Sequence, residues 1–378
     1  MSPTSVADDL IRLHLSESPY GASASALTAA HSALDRISLY PDPARQQLIA
    51  AIAAAYGVAD EQIAVGNGSD ELVLLSSLAV GDVGRPGLVT AGTFPGYHTC
   101  LERTRRGSLS VPLDGTAINV PAFTDAMSRV GIAYVCNPHN PSGGALPREQ
   151  FDGLVHAAAS TGVPLVVDEA YLEFAPPDTP QVRDYLSSGA PLLALRTFSK
   201  AYGLASLRIG YAIGSAELVT QLRSAQETMP FSANRIAQAA AAAALADGDF
   251  IADVRAANAE RRAWFTAELA RRSRRHLPSV TNFVAVAVDD SASAERLLAR
   301  EHGILVRDAR RFCFPGFLRI SLGEREHLRC CLDALQEIDD QSRSWLRLAR
   351  RRGTPGRAPQ RERTVVTGRG LDQGHAKH

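Results

Sequence analysis

Between residues 38 and 249 the chain alternates short apolar runs, unbroken by polar residues, with longer stretches whose apolar positions recur at helical spacing. The runs fall at 63–65, 87–90, 132–136, 165–167, 192–195 and 209–213. A strand with one wet face alternates polar and apolar residues, whereas a strand buried on both faces does not. Unbroken runs separated by helical stretches therefore predict an α/β domain with a mostly parallel sheet. Ahead of it, residues 1–37 read as an arm and a helix that starts near Ser23 and carries Leu27, His31 and Leu34 at helical spacing. After it comes a helical stretch over about 250–275, then candidate strands at 282–288, 303–306 and 317–322 with a helix near 293–300. That order predicts a smaller α+β domain. A last helix covers about 324–340 and runs on towards Leu348. The chain thus divides into an arm and helix (1–37), a large domain (38–249), a smaller domain (250–349) and a tail (350–378). No internal repeat shows.

The tail differs in composition. Arg350, Arg351, Arg352, Arg357, Arg361 and Arg363 sit among Gly, Pro and Gln with few apolar side chains. Such a segment cannot bury enough surface to offset its ordering entropy, which predicts a disordered, solvated tail beyond about Gly353. The rest of the 378 residues, 45% hydrophobic overall, suffices for a sizeable core. A formal net charge of zero creates no global field for nucleic acid or membrane. No apolar run approaches the roughly 20 residues of a membrane helix, and the first residues carry no basic-then-apolar signal. Cys100, Cys136, Cys313, Cys330 and Cys331 have neither metal-ligand nor paired-framework spacing, so reduced thiols are expected. These features predict a soluble cytoplasmic protein.

Three of the apolar runs end in chemistry. The first, Pro191-Leu-Leu-Ala-Leu195, leads into Arg196-Thr-Phe-Ser-Lys200-Ala-Tyr-Gly-Leu-Ala-Ser-Leu-Arg208. A lysine at the end of a buried strand is unfavourable without a partner. It either meets a phosphate as a point charge or condenses with an aldehyde; the second requires an amine pKa depressed by burial and a nearby cation. The second run, Val163-Pro-Leu-Val-Val, ends in Asp168 and is followed by Glu169 and Tyr171. The third, Ile132-Ala-Tyr-Val-Cys, enters the tight turn Asn137-Pro-His-Asn140-Pro-Ser-Gly143. Ligands of open α/β sheets sit beyond the carboxyl ends of the strands. Gathered there, Lys200, Asp168, Tyr171 and Asn140 can hold a pyridinium aldehyde, with the amine on the aldehyde, the carboxylate on the ring nitrogen, and Tyr171 and Asn140 on the ring hydroxyl oxygen. Gly66-Asn-Gly-Ser-Asp70 follows a strand and opens a helix, so backbone N–H groups and the positive end of the helix dipole suit a phosphate. Arg208 can clamp the same group bidentately.

Tyr40-Pro-Asp-Pro, Gly66-Asn-Gly-Ser-Asp-Glu71, Asn137-Pro-His-Asn-Pro-Ser-Gly143, Asp168-Glu-Ala-Tyr171, Thr197-Phe-Ser-Lys200, Gly303-Ile-Leu-Val-Arg307-Asp and Leu318-Arg319-Ile-Ser stand in this order. In that order and spacing the chain resembles the fold-type I pyridoxal-phosphate enzymes, and within them the histidinol-phosphate aminotransferase family of class I/II aminotransferases. The resemblance runs from about Leu13 to about Leu335. It implies a large, mostly parallel α/β/α sheet domain and a smaller α+β domain, with the N-terminal arm and helix packed on the latter. It implies pyridoxal 5'-phosphate as cofactor, its phosphate held by Gly68, Ser69, Ser199, Thr197 and Arg208 with Asp70 beside them. Phe94 is the candidate for the aromatic ring on the pyridine face, and Tyr97 the runner-up. Asp168 keeps the ring nitrogen protonated, Lys200 is the catalytic base, and Glu169 and Glu173 are structural. Tyr40 corresponds to a tyrosine that reaches the neighbouring subunit's cofactor phosphate, which implies a homodimer with shared sites.

On the substrate side, the resemblance assigns Arg319 to the donor's carboxylate or phosphate, Arg307 to a second anion contact, and Tyr20 to a lid, with Asn140 between substrate and cofactor. Ser16 and Ser18 stand where relatives carry Asn. Segments like Arg310-Arg-Phe-Cys-Phe-Pro-Gly316 also occur in phosphothreonine decarboxylases, and 196–214 is similar to actinobacterial phenylalanine aminotransferases. The implied activity is ping-pong transamination from histidinol phosphate or an aromatic amino acid to a 2-oxo acid such as 2-oxoglutarate. Decarboxylation with the same cofactor is the alternative. A non-catalytic regulator is the remote one, since the short stretch before Tyr20 cannot form a DNA-binding domain.

Overall fold

The computed structural model describes residues 10–351, with the backbone alone from 342 onward. The expected disorder beyond Gly353 falls outside the described residues. In chain order the strands are β1 (Ile11–Arg12), β2 (Ile63–Gly66), β3 (Gly87–Thr90), β4 (Ser108–Val111), β5 (Ile132–Cys136), β6 (Leu165–Asp168), β7 (Leu192–Thr197), β8 (Gly210–Gly214), β9 (Phe283–Ala287), β10 (Ile304–Leu305), β11 (Arg307–Asp308) and β12 (Phe317–Ser321). Seven of them form one sheet in the order β2-β8-β7-β6-β5-β3-β4. Every pairing from β7 to β4 is parallel, and β8 alone runs antiparallel to both of its neighbours.

The unbroken apolar runs are explained by burial on both sides: β5, β6 and β7 are buried at every position. Along β5, Ala133 and Val135 point into a core with Phe123 and Phe151, while Tyr134 and Cys136 point into another with Leu72, Leu101 and Leu222. The first core lies under the helices Val120–Met127 and Arg148–Thr161, and the second under Ser69–Ala79, Gly96–Arg103 and Ala216–Gln226. This is the helix–sheet–helix layering of the fold-type I architecture. Truncating a fully buried ring such as Phe123 or Phe151 in these layers costs about 3–5 kcal/mol.

A three-stranded antiparallel sheet, β11-β12-β9, carries the second set of site residues. The run expected at 303–306 shortens to two residues, and a separate two-residue strand follows it. Ile304–Leu305 pairs in parallel with β1, and Arg307–Asp308 pairs with β12. The arm strand therefore joins this part of the chain. The helix that follows it, Ala24–Leu34, does not: it packs on the helix Arg235–Ala246, and Ala26 enters a core with Leu48, Ile52 and Tyr211. Small faces explain the choice, since Ala26 and Ala30 meet Ala237, Ala240, Ala241 and Ala244, and short side chains let two helices approach closely. The long helix spans Gly248–Arg271, with Asp247 accepting the Phe250 N–H at its start. The last helix, Arg325–Arg351, runs out of the compact unit that ends at Leu335; a second unit begins at Gln336. No helix among the described residues is long and apolar enough to cross a membrane.

Candidate active site

Because β5, β6 and β7 are parallel neighbours, their carboxyl ends bring Asn140, Asp168 and Lys200 to one edge of the sheet. β2 points the same way and delivers the Gly66–Ser69 loop beside them. A cavity of about 710 Å³ lies over that edge, and all three residues line it together with Ser69, Arg208 and Arg319.

Lys200 Nζ donates to the Leu15 carbonyl at 2.8 Å and lies 5.7 Å from the centre of the Tyr171 ring. The side chain stays partly accessible through the cavity, yet protein crowds it. That burial, reinforced by the Arg319 guanidinium, lowers its pKa to about 8. Asp168 is only 7% exposed. Its Oδ1 accepts the Ala170 N–H at 3.1 Å and its Oδ2 accepts the Tyr97 hydroxyl at 2.5 Å. Burial raises its pKa to about 6 against the opposing pull of those two bonds. Tyr171 packs edge-on against Phe283 with ring centres 5.0 Å apart, and burial pushes its phenol up to about 12, so it is a donor at neutral pH.

Phe94 lines the cavity, whereas Tyr97, the runner-up for the stacking position, does not. Tyr97 is fully buried behind the wall with Phe94 edge-on against it at 5.4 Å. The helix Gly96–Arg103 turns its ring inward to Asp168, a contact that no sequence spacing announces.

The glycine loop is a tight cradle. Gly68 sits at φ +81°, and a Cβ there would stand 2.7 Å from Arg208 Nη2. The helix that starts at Ser69 presents its first N–H groups to the cavity. Arg208 itself adopts the left-handed region, φ 54°, which is strained for a side-chain-bearing residue. Its guanidinium donates to Ala205 O at 2.9 Å and to Asp70 Oδ2 at 3.0 Å, with Ser199 Oγ at 3.4 Å. Thr197 Oγ1 accepts the Ser199 N–H at 3.0 Å, and both residues line the cavity. Ser206, which the motif reading passed over, joins them from the same loop.

At the other end the register of β11 and β12 sets Arg307 directly opposite Arg319. Arg319 is 5% exposed, with its guanidinium 5.0 Å from the centres of both the Phe283 and Phe312 rings. It donates to Asn140 Oδ1 at 2.8 Å and to the His14 carbonyl at 2.9 Å, while its Nε is buried without a partner. Arg311 also reaches the cavity, paired with Glu295 at 3.3 Å. Leu15 and Glu17 of the arm close the wall, Glu17 paired with Arg12 at 2.6 Å. Ser16 between them is buried at φ 54°, a conformation that Asn tolerates better than Ser.

Neither Tyr20, expected as a lid, nor Tyr40, expected at the neighbouring subunit's site rather than at this one, lines the cavity. Tyr20 packs in a cluster with Tyr171 and Phe174, its ring 4.9 Å beneath the Arg261 guanidinium. Tyr40 is 75% exposed and stacks on Phe231 at 4.4 Å, away from the lining residues. Among the described residues no cluster of His, Cys, Asp and Glu could hold a metal ion, and all five cysteines are free.

Comparison with known proteins places this arrangement. The family "Aminotransferase class I and II" matches residues 8–335. A Brevibacillus brevis protein named histidinol-phosphate aminotransferase is 36% identical over 334 residues, covering 87% of this chain and 90% of that one. A Sphingopyxis alaskensis protein of the same name is 36% identical over 342 residues, covering 86% and 90%. Among solved structures, histidinol-phosphate aminotransferase from Sinorhizobium meliloti, in complex with pyridoxal-5'-phosphate, matches with a TM-score of 0.75 and 31% identity over 87% of this chain and 90% of that one. A putative histidinol-phosphate aminotransferase from Erwinia carotovora atroseptica shares the fold, with a TM-score of 0.81 at 24% identity over 89% and 97%. With the family matched over most of its length and relatives above the level at which homology is secure, this chain belongs to the class I and II aminotransferases.

Proposed function

We propose that this chain is a pyridoxal-phosphate-dependent aminotransferase whose amino donor is histidinol phosphate and whose acceptor is 2-oxoglutarate. The observation that carries the donor is the register setting Arg307 opposite Arg319. Like charges directly across a strand pair repel, and burial of Arg319 worsens the repulsion, so the pair calls for an anion between them. The unpartnered Nε of Arg319 and the nearby Arg311 add donors, enough for a phosphate dianion. An aromatic amino acid is the second reading, favoured by the faces of Phe94 and Phe312 in the same cavity. The curated relatives are named aminotransferases, which favours transamination over decarboxylation.

The residues fit the cofactor. A cradle of helix N–H groups, hydroxyls and a guanidinium matches a phosphate. A buried carboxylate with no cation of its own matches a pyridinium, and an amine of lowered pKa lines the same cavity. In this reading Ser69, Thr197, Ser199 and Arg208 hold the phosphate, with Gly68 leaving room and Asp70 orienting Arg208. Bound there, the cofactor supplies an electron sink for charge developing at the donor's α-carbon. The chain does the rest. Asp168 holds a proton on the ring nitrogen, Tyr171 and Asn140 hold the ring hydroxyl oxygen, and Phe94 covers one face. Lys200 Nζ carries the α-proton, and a pKa of about 8 leaves part of the amine neutral and able to accept it near neutral pH. Arg319 and Arg307 orient the donor so that its α-carbon faces Nζ.

The same reading makes the chain a homodimer. Leu34, Ile37, Leu39, Tyr40 and Phe231 are large apolar side chains left exposed, and Tyr40 is free to reach a second copy's cradle. Tyr20 becomes a lid residue only on movement of the arm. Five free thiols suit the cytoplasm. In the same reading a cofactor domain over 38–249 carries the seven-stranded sheet and a smaller domain over 250–349 carries the three-stranded one.

The test is to supply the purified protein with pyridoxal phosphate and 2-oxoglutarate, then measure glutamate formed from histidinol phosphate and from L-phenylalanine. Glutamate from the first, falling strongly on Arg307→Ala, supports the reading. Release of carbon dioxide without glutamate from any donor would sink it.

A further inference from the structure

Behind Asp168 and the cavity-lining Phe94 lie two buried aromatic rings, Tyr97 and Tyr134, that the mechanism above does not use. Tyr97 is 0% exposed, with Phe94 edge-on to one side of it and Tyr134 stacked on the other at 5.3 Å and 12°. Tyr134 is itself pinned, its hydroxyl 2.9 Å from both Ser76 Oγ and Ser77 Oγ on the helix Ser69–Ala79. That is the helix whose first turn faces the cavity. The column of Phe94, Tyr97 and Tyr134 therefore couples the cradle end of the site to the carboxylate end through packed, hydrogen-bonded side chains. Its middle member, Tyr97, donates the 2.5 Å bond to Asp168 Oδ2.

We propose that Tyr97 is a positioning residue for Asp168, fixing the carboxylate's orientation and holding it in the charged form that a cationic ring nitrogen requires. The proposal rests on the reading that Asp168 faces that nitrogen. Burial drives the Tyr97 phenol well above its ordinary range, so the hydroxyl remains a donor throughout the working pH range. Burial also favours the neutral acid at Asp168, and the two hydrogen bonds oppose it. Ala170 supplies one of them from the backbone, and Tyr97 supplies the other from a side chain that can be removed. Asp70 on the helix Ser69–Ala79 and the adjoining Glu169 both disfavour its charge, and the Cys136 thiol of β5 and the Tyr171 phenol also lie within electrostatic reach of it. Tyr97 is thus the side chain that keeps Asp168 ionised at pH values where the site is expected to work.

The experiment is a titration of pyridoxal phosphate into apoprotein from pH 5 to 9, followed by the absorbance of the bound ring, for the wild type, Tyr97→Phe, Tyr134→Phe and Asp168→Asn. The expected result is that Tyr97→Phe melts close to wild type, while the pH below which affinity falls moves up by about one unit, a roughly tenfold weakening near that midpoint. Tyr134→Phe removes a buried hydroxyl from the same column without touching Asp168, so it should leave the midpoint in place. Asp168→Asn should lose that acid-side midpoint, leaving only the pH dependence that the Lys200 amine imposes at higher pH. A wild-type profile for Tyr97→Phe overturns the proposal, and so does an equal shift in Tyr134→Phe, which would assign the effect to packing. If Asp168→Asn binds with unchanged affinity and pH dependence, the underlying placement of Asp168 fails instead, so the two failures are distinguishable.

Discussion

Replacing Glu173 by Gln should stabilise this protein above neutral pH. Glu173 follows Tyr171 in a short 3-10 turn, and both of its carboxylate oxygens are buried without a hydrogen-bond partner. Burial raises its pKa from 4.5 to about 7; Arg196 and Arg255 oppose that rise, and the charge of Glu169 adds to it. In the unfolded chain the same group ionises near 4.5. Between those values the folded state binds the proton that the unfolded state has released, so stability contributed by the neutral acid falls as pH rises through the window and stays lost above it. Each tenfold step in proton affinity is worth about 1.4 kcal/mol, so the full loss is on the order of 3 kcal/mol. Gln keeps the shape of the neutral acid and cannot ionise. Urea unfolding of the wild type and Glu173→Gln at pH 5 and pH 8 should give similar midpoints at the lower pH. At the higher pH the variant should be more stable by up to that amount. If the two proteins differ equally at both pH values, or the variant is weaker at pH 8, the carboxylate is not held as an unpaired buried acid and the reasoning fails.

Lys200→Ala should remove glutamate formation from every donor while leaving the melting temperature near that of the wild type; multiple-turnover rates in that variant would refute the assignment of the base. Glu169→Ala should be severely destabilising, by about 3–5 kcal/mol in urea, because it strands Arg196 as an uncompensated buried cation. The pair lies at 2.8 Å with side chains 4% and 0% exposed, and Gln181 and Val182 complete its hydrogen bonds. Unfolding at the wild-type midpoint would show that water reaches the pair. Deleting residues 354–378 should leave the rate of glutamate formation unchanged, and a large drop would show that the arginine-rich tail takes part.

The central strands were legible because burial on both faces leaves an unbroken apolar run, and each run that mattered ended in a residue whose chemistry was out of place there. Asp168 and Lys200 are such residues. The edge strand β4 was not legible: its Ser-Leu-Ser-Val sequence is only partly buried and carries no run. The two-residue strands β1, β10 and β11 are too short for any periodicity, so the pairing of Arg307 with Arg319 became visible only through register. Leu15 approaches Lys200 across the fold, and nothing local in either segment reports that contact. Tyr97 was singled out only as runner-up to Phe94 for the stacking position, whereas the structure buries it against Asp168 and outside the cavity lining. A helix places side chains at every azimuth, and which one turns inward depends on what it packs against.

Burial at the sheet edge accounts for most of the site's chemical character. Lys200 ordinarily ionises near 10.5 and Asp168 near 3.8, whereas here they stand at about 8 and about 6. A gap of nearly seven powers of ten in proton affinity closes to about two. Both shifts have desolvation as their leading cause, and it acts in opposite directions because one group is charged when protonated and the other when not. In the proposed mechanism the same low-polarity surroundings that make Lys200 a usable base therefore endanger Asp168, which has to stay ionised for its proposed role. The protein treats the two ends differently: Lys200 receives the neighbouring cation Arg319, which pushes further in the useful direction, and Asp168 receives hydrogen bonds from Tyr97 and Ala170, which push back. Any substitution that wets the cavity floor should move both groups towards their ordinary values. It would then weaken the base more than the carboxylate, because only the base depends on being perturbed.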